Sequence, residues 1–216
     1  MDVAVQAGTA VVRMASRLRG ERAIHARGRA LTGRLTVTGG AATGAPLLDE
    51  PASYDVVVRL SRSLGLPPRL PDVLGLAVRV LDAHGPGAHQ DLLLDSTRAE
   101  PVLRRLPLPA HDHLRATHGS LVPYDVGGRR LLIGARGLAG SATRLPDVTV
   151  ASFGLLVATA HGPWQQVGTV RTTAELPAPQ GRALRFNPAV TGGGLRLAGP
   201  FHGWRQRAYP VSQDVG

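Results

Sequence analysis

The stretch YDVVVRLSR, residues 54–62, is rich in β-branched side chains and predicts a β-strand. Two stretches that follow it have the same character, GLAVRVLDA at 75–83 and the shorter QDLLLDS at 90–96. The connection between the first two, GLPPRLPD at 65–72, is a proline-rich turn. Three strands joined by connections this short predict an antiparallel sheet.

The segments on either side extend this sheet. AIHARGRALTGRLTVTG at 23–39 alternates like a long strand or a strand pair, while residues 1–20 have helical spacing. An insertion of short helices and loops is expected over 98–128, and further strands over 129–135, 148–160, 164–175 and 183–187. Without a βαβ rhythm, the pattern predicts a mainly β (α+β) fold over 1–216. We expect one domain, an antiparallel barrel of roughly eight strands with a few short flanking helices.

Composition narrows the class of protein. The chain has 216 residues, 43% of them hydrophobic, which is ample for a buried core. No stretch approaches the roughly 18–20 apolar residues of a membrane span, and no secretory signal is recognisable. Cysteine is absent, which excludes disulfides and thiolate chemistry. We therefore expect a soluble, cytoplasmic protein.

A formal charge of +10 is compatible with nucleic-acid binding, but the distribution of the charged and aromatic residues does not favour it. All 25 basic residues are arginine, as in proteins encoded by GC-rich genes, and they are scattered along the chain. Aromatic residues that would stack on bases make up only 4%. We expect no specific nucleic-acid partner and no membrane partner.

Two short segments near the ends carry the most specific signal. ERAIHARG at 21–28 contains His25, and WRQRAYP at 204–210 contains Tyr209 with Arg205 four residues before it. The first resembles the distal-histidine segment of haem catalases, E-R-V-V-H-A-x-G. The second resembles their R-L-F-x-Y-P segment, which carries the proximal ligand of the iron.

Other segments resemble the same family in the same order. VRLS, residues 58–61, is similar to the V-R-F-S strand, and LPDVLGLAVRVLDA resembles the D-x-x-G-F-A-V-K-F segment. QDLLLDST, VGTVRTTAELP and LRFNPAVTGGGL resemble later family segments. The resemblance spans about residues 20–213. It implies the minimal barrel core of a catalase-like protein, of the small catalase-related peroxidase type, with haem b as cofactor.

The resemblance implies an iron ligand and its partner. Tyr209 would bind the haem iron as a phenolate, the axial ligand typical of catalases. A free tyrosine titrates near pH ~10, so a cation helps to keep the phenolate ionised. Arg205 lies on the same face as Tyr209 if this stretch is helical.

The resemblance also assigns the opposite side of the haem. His25 would take a proton from the peroxide and return it to the departing oxygen. Ser61 would bond the other ring nitrogen of His25, and Arg22 and Arg59 would neutralise the haem propionates.

One departure from the family bears on activity. The asparagine that orients peroxide in catalases is absent, because the aligned residues are Asp95 and Ser96. Ser96 falls at the asparagine position and would donate a hydrogen bond from a shorter arm. The sequence therefore leaves open whether hydrogen peroxide is disproportionated. The chain is also under half the length of an ordinary catalase, so we expect a haem that is more accessible to organic substrates.

Four functions follow as alternatives. The first is a haem enzyme that acts on a peroxide, and the second is a biosynthetic tailoring enzyme that acts on an organic hydroperoxide or an N–O compound. The third is a haem-binding protein without turnover. The fourth, a metal site at His111, His113 and His118, is less favoured than an ordinary loop. The expected partners are a peroxide or a small organic substrate, and a second copy in a homodimer.

Overall fold

The structure is a computed structural model that describes residues 28–67, 69–139 and 150–198. This part of the chain contains ten strands and two short helices, α1 (Pro46–Asp49) and α2 (Ala178–Ala183). The strands are β1 (Gly28–Val37), β2 (Ala52–Arg62), β3 (Leu74–Val80), β4 (Gln90–Thr97), β5 (Thr117–Gly119), β6 (Tyr124–Val126), β7 (Arg129–Gly137), β8 (Ser152–Ala158), β9 (Gln165–Glu175) and β10 (Leu195–Leu197).

Eight of these strands close into a barrel. Strands β1 to β5 pair in chain order, β5 pairs with β7, and β7, β8 and β9 continue until β9 pairs with β1. Every pairing is antiparallel. The short strands β6 and β10 extend the sheet from β7. The predicted mainly β fold, with an antiparallel barrel of about eight strands and a few short helices, is confirmed.

The inside of the barrel is apolar because alternate side chains of each strand point to it. On β2 the inward residues are Val56, Val58 and Leu60, all 4% exposed or less. Neighbouring strands contribute leucines, valines and Phe153 to the same cluster. Val57 and the other outward residues of β2 face away from this core, so they form the outer face.

The predicted boundaries differ from the structure in two places. The prediction of a strand at 183–187 is wrong. Residues 178–183 form helix α2, which begins with a proline in its first turn, where proline is favourable. The expected helices within 98–128 are also absent from that fully described segment. It consists of turns and of β5 and β6, because prolines interrupt it before a helix can propagate. The helix expected over 1–20 lies outside the described residues.

No helix in the described part of the chain is both long enough and apolar enough to cross a membrane.

A pair of histidines is buried where β4 and β5 meet. The rings of His113 and His118 are stacked, with centroids 5.8 Å apart, and His118 meets the edge of Phe153 at 6.3 Å. Burial lowers the pKa of His113 to about 4 and that of His118 to about 3. Neither ring nitrogen of His118 has a hydrogen-bond partner among the described residues. Both rings are therefore neutral in the folded protein at physiological pH.

We predict that His118 makes the fold sensitive to acid. The unfolded chain takes up this proton near pH ~6.5, whereas the folded chain resists it until about pH 3, so stability falls as the pH decreases between these values. His118→Leu should reduce this dependence by about 1.4 kcal/mol per pH unit between pH 6.5 and 4.5. Urea unfolding across that range measures it. His111→Leu, at an exposed histidine, is the control; parallel profiles for wild type and His118→Leu would contradict the prediction.

Candidate functional site

The register of four strands places Ser61 and Asp95 on the same face of the barrel. Ser61 is paired with Gly28 on β1 and with Gly75 on β3, and Gly75 is paired with Asp95 on β4. Residues directly opposite each other in an antiparallel sheet point to the same side. Because Leu60 and its core-facing neighbours point inward, this row lies on the outer face.

A second row lies two residues along the strands. In this row Arg59 of β2 is paired with Ala30 of β1 and Ala77 of β3, and Ala77 is paired with Leu93 of β4. Together the two rows form a surface that we call the outer floor: Gly28, Ala30, Arg59, Ser61, Gly75, Ala77, Leu93 and Asp95.

Side chains project little from the outer floor, because half of its residues are glycine or alanine. At Gly28 the approach is close: a Cβ atom there would lie 2.9 Å from the carbonyl oxygen of Leu60 and 3.2 Å from Nε of Arg59. A larger residue would therefore displace the arginine or the strand. Small side chains keep the floor flat, and helix α2 lies against it at Ala30, since a Cβ atom on Gly181 would lie 3.1 Å from Cβ of Ala30.

One side of the outer floor is basic. Arg59 is half-buried, and its pKa is lowered, first by burial and then by the charge of Arg185. The guanidinium of Arg185 donates hydrogen bonds to the carbonyl oxygens of Arg182 (2.6 Å) and Leu184 (3.1 Å). Two guanidinium groups near each other make this region favourable for an anion.

An ion pair fixes the segment that carries Arg185. Nε and Nη2 of Arg79 donate to the two carboxylate oxygens of Asp91, each at 2.8 Å, and Nη2 also donates to the carbonyl oxygen of Arg185 at 2.6 Å. The Asp91 carboxylate accepts the backbone N–H of Asn187 at 2.7 Å, and Arg79 lies over the ring of Phe186. The hydrogen bonds that Arg79 donates to Asp91 raise the pKa of Arg79. Sequence reasoning did not identify this pair, although opposite charges on adjacent strands were visible.

Ser61 lies on the outer floor. It is 6% exposed, and its hydroxyl has no hydrogen bond to another described residue. Its carbonyl oxygen accepts a hydrogen bond from Nε2 of His113 at 3.1 Å, which ties the buried histidine pair to the strand. The expected bond between Ser61 and His25 stays a prediction.

Ser96, the residue aligned with the catalase asparagine, points to the other side of the strand. Its hydroxyl accepts the backbone N–H of Leu74 at 2.9 Å and donates to the carbonyl oxygen of Leu108 at 2.6 Å. The residue is fully buried. Its hydroxyl therefore supports the junction of β3, β4 and the following loop, and the preceding residue, Asp95, takes the outward position.

Asp95 is a half-buried aspartate with a raised pKa. Among the described residues, no side chain or backbone group forms an ion pair or a hydrogen bond with its carboxylate. Burial raises its pKa from an ordinary value to about 6, and no compensating charge opposes that effect. Sequence reasoning missed this residue because it compared Asp95 and Ser96 by alignment, without knowing which of them faces outward.

The other residues assigned by resemblance cannot be placed. His25, Arg22, Arg205 and Tyr209 lie outside the described residues, and their roles stay predictions. In the sequence, His25 comes three residues before Gly28, where the described part of β1 begins.

The three histidines considered for a metal form no such site among the described residues. No group of three or more histidine, cysteine, aspartate or glutamate side chains there could hold a metal ion. His111 is exposed, whereas His113 and His118 are buried and stacked on each other.

The fold is similar to that of a solved bacterial catalase, with a TM-score of 0.60 and 12% sequence identity. The similarity covers 93% of this chain and 58% of the catalase chain, so this protein spans less than two thirds of that structure. No protein-family model matches the sequence, and no curated protein is significantly similar to it. The comparison shows a catalase-like fold.

We predict that the Asp95 carboxylate destabilises the fold at neutral and alkaline pH. The unfolded chain ionises this group near pH ~3.8, but the folded chain does so only near 6, so stability is lost as the pH rises between these values. Asp95→Asn should therefore increase the free energy of unfolding at pH 8 by about 3 kcal/mol, with little effect at pH 3.5.

Asp125→Asn is the matched control, because Asp125 is an exposed aspartate on β6. Its effect on urea unfolding should stay within about 0.5 kcal/mol at both pH values. An Asp95→Asn protein no more stable than wild type at pH 8 would show that the carboxylate is not penalised by burial.

Proposed function

We propose that this protein is a haem-dependent oxidoreductase that acts on a peroxide, with haem b bound against the outer floor. The observation that carries the proposal is the combination of Ser61 with a floor of glycine and alanine beside Arg59, on a catalase-like barrel. A flat group needs such a surface, and an anionic group needs a cation at its edge. The floor offers both.

The residues on the floor fit haem in shape and in charge. Gly28, Gly75 and Ala77 present little or no side chain above the strands, and helix α2 meets the floor at Ala30. Arg59 lies near enough to Arg185 for the two charges to interact. Arg59 suits a propionate, because a guanidinium pairs with a carboxylate through two parallel hydrogen bonds. Arg22 is proposed for the second propionate on the resemblance alone.

Bound haem would supply the iron that cleaves an O–O bond, and the chain would supply a ligand and a proton carrier. Tyr209 is the proposed iron ligand, and Arg205 would hold its phenolate ionised. His25 is the proposed acid–base group, because an imidazole can take and return a proton near neutral pH. The Ser61 hydroxyl, which no described residue binds, would orient the imidazole.

A second candidate function is a dedicated tailoring reaction on an organic hydroperoxide or an N–O compound. The placement of Asp95 favours it, because a carboxylate rather than an amide lies beside Ser61 on the outer floor. An ionised carboxylate accepts hydrogen bonds and cannot donate one to hydrogen peroxide as asparagine does. An organic substrate with an amine or hydroxyl group in addition to its O–O or N–O bond could place that donor against the carboxylate.

We predict that the protein expressed with haem supplied has a Soret band, and that Tyr209→Phe abolishes or strongly shifts it. The phenolate is the proposed axial ligand, so its removal leaves the iron without a protein ligand on that side. Tyr54→Phe is the matched control among the three tyrosines and should leave the band unchanged. An unchanged spectrum in Tyr209→Phe would contradict the ligand assignment, and a wild-type protein without haem would contradict the function.

Addition of hydrogen peroxide to the haem-loaded protein separates the candidate functions. Consumption of peroxide or oxidation of a reductant dye supports the peroxide enzyme. A haem-loaded protein that is inert to both indicates a dedicated organic substrate. Inertness toward organic hydroperoxides and N–O compounds as well would indicate a haem-binding protein without turnover.

A further inference from the structure

We propose that Asp95 is a substrate-facing acid–base residue of the outer floor. This inference rests on the proposed function. In its neutral form the Asp95 carboxyl would donate a hydrogen bond to an oxygen of the substrate, and in its ionised form it would accept one from a hydroxyl or ammonium group. The site would therefore select different partners at different pH values.

Geometry is the first argument. Asp95 and Ser61 are both paired with Gly75, one from each side, so they lie two strand spacings apart, about 10 Å between their Cα atoms. Gly75 has no side chain to separate them. A small group lying over Gly75 would be flanked by a hydroxyl on one side and by a carboxyl on the other.

The lack of partners is the second argument. A carboxylate that is partly withdrawn from water and has no protein partner loses part of its hydration, which is unfavourable. The other aspartates near β3 and β4 are satisfied: Asp91 holds Arg79, and the Asp72 carboxylate accepts the backbone N–H groups of Leu64 and Leu66. Within residues 28–67, 69–139 and 150–198 Asp95 has no such partner, which leaves its carboxyl available to a bound molecule.

Each cation near Asp95 in the described part of the chain lies a row away from it or binds another group. On β2 the nearest cation on this face is Arg59, one row away, and on β3 Arg79 is committed to Asp91. On β5 the paired residue is Gly119. Arg104, in the turn that covers Gly119, donates to the carbonyl oxygens of Ala99, Thr159 and Gly162.

The remaining titratable groups of these elements are exposed or neutral. Arg98, Glu100 and Arg105 of the same turn are exposed to solvent, and the inner side of the sheet carries the neutral pair His113 and His118. Burial raises the pKa of Asp95 to about 6, so the carboxyl changes its protonation state within the working range of an enzyme. His25, by resemblance, would be the other titrating group of the site.

The test uses azide as the probe and the haem-loaded full chain. Azide binding is followed by the change in the Soret band at pH 5.0 and pH 7.5. At pH 5.0 the neutral carboxyl can donate to the anion, whereas at pH 7.5 the carboxylate repels it. The ratio of the Kd at pH 7.5 to that at pH 5.0 should be about tenfold larger in wild type than in Asp95→Asn, whose amide does not titrate.

Two further variants make the comparison specific. Asp95→Glu keeps a titrating carboxyl and should retain a ratio well above that of Asp95→Asn, and Asp125→Asn removes an equal charge at an exposed position and should match wild type. Equal ratios in wild type and Asp95→Asn, with haem bound in both, would overturn this inference and leave the proposed function standing. Failure of the wild-type chain to bind haem would overturn both.

Discussion

The antiparallel register that closes the barrel is the constraint on which every other feature depends. Once β1 pairs with both β2 and β9, each residue of the eight strands is assigned to the core or to the outer face. A shift of one residue in β4 would exchange Asp95 for Ser96 and bury an unpaired carboxylate. The hydrophobic alternation of Leu92 and Leu94 opposes such a shift, because these leucines would leave the core.

This constraint separates two chemical environments on opposite sides of one sheet. On the inner side, the stacked pair His113 and His118 stays neutral, and Ser96 bonds to backbone groups. On the outer side, small residues surround Ser61 and Asp95. The Nε2 bond from His113 to the carbonyl oxygen of Ser61 connects the two sides. The inner side therefore supports the strands that carry the candidate site.

The sequence was sufficient for the fold class and for most strands, because 54–62 and 75–83 are rich in β-branched residues and are joined by short connections. It did not predict helix α2, since a short segment after a proline has no periodicity to read. The outward position of Asp95 was also not predictable. Alignment gives a position along a strand but not the face it points to, and adjacent residues point to opposite faces. The Arg79–Asp91 pair was missed because cross-strand partners depend on register.

The central claim is that the outer floor holds a flat haem, and blocking that floor tests it most directly. Ala77→Phe places a bulky ring on the floor, whereas Ser53→Phe places the same ring on an exposed outward residue at the far end of β2. Both variants should be compared with wild type by haem titration. We expect Ala77→Phe to weaken haem binding at least tenfold, about 1.4 kcal/mol, while Ser53→Phe binds haem as wild type does. Equal haem affinity in all three proteins would contradict it.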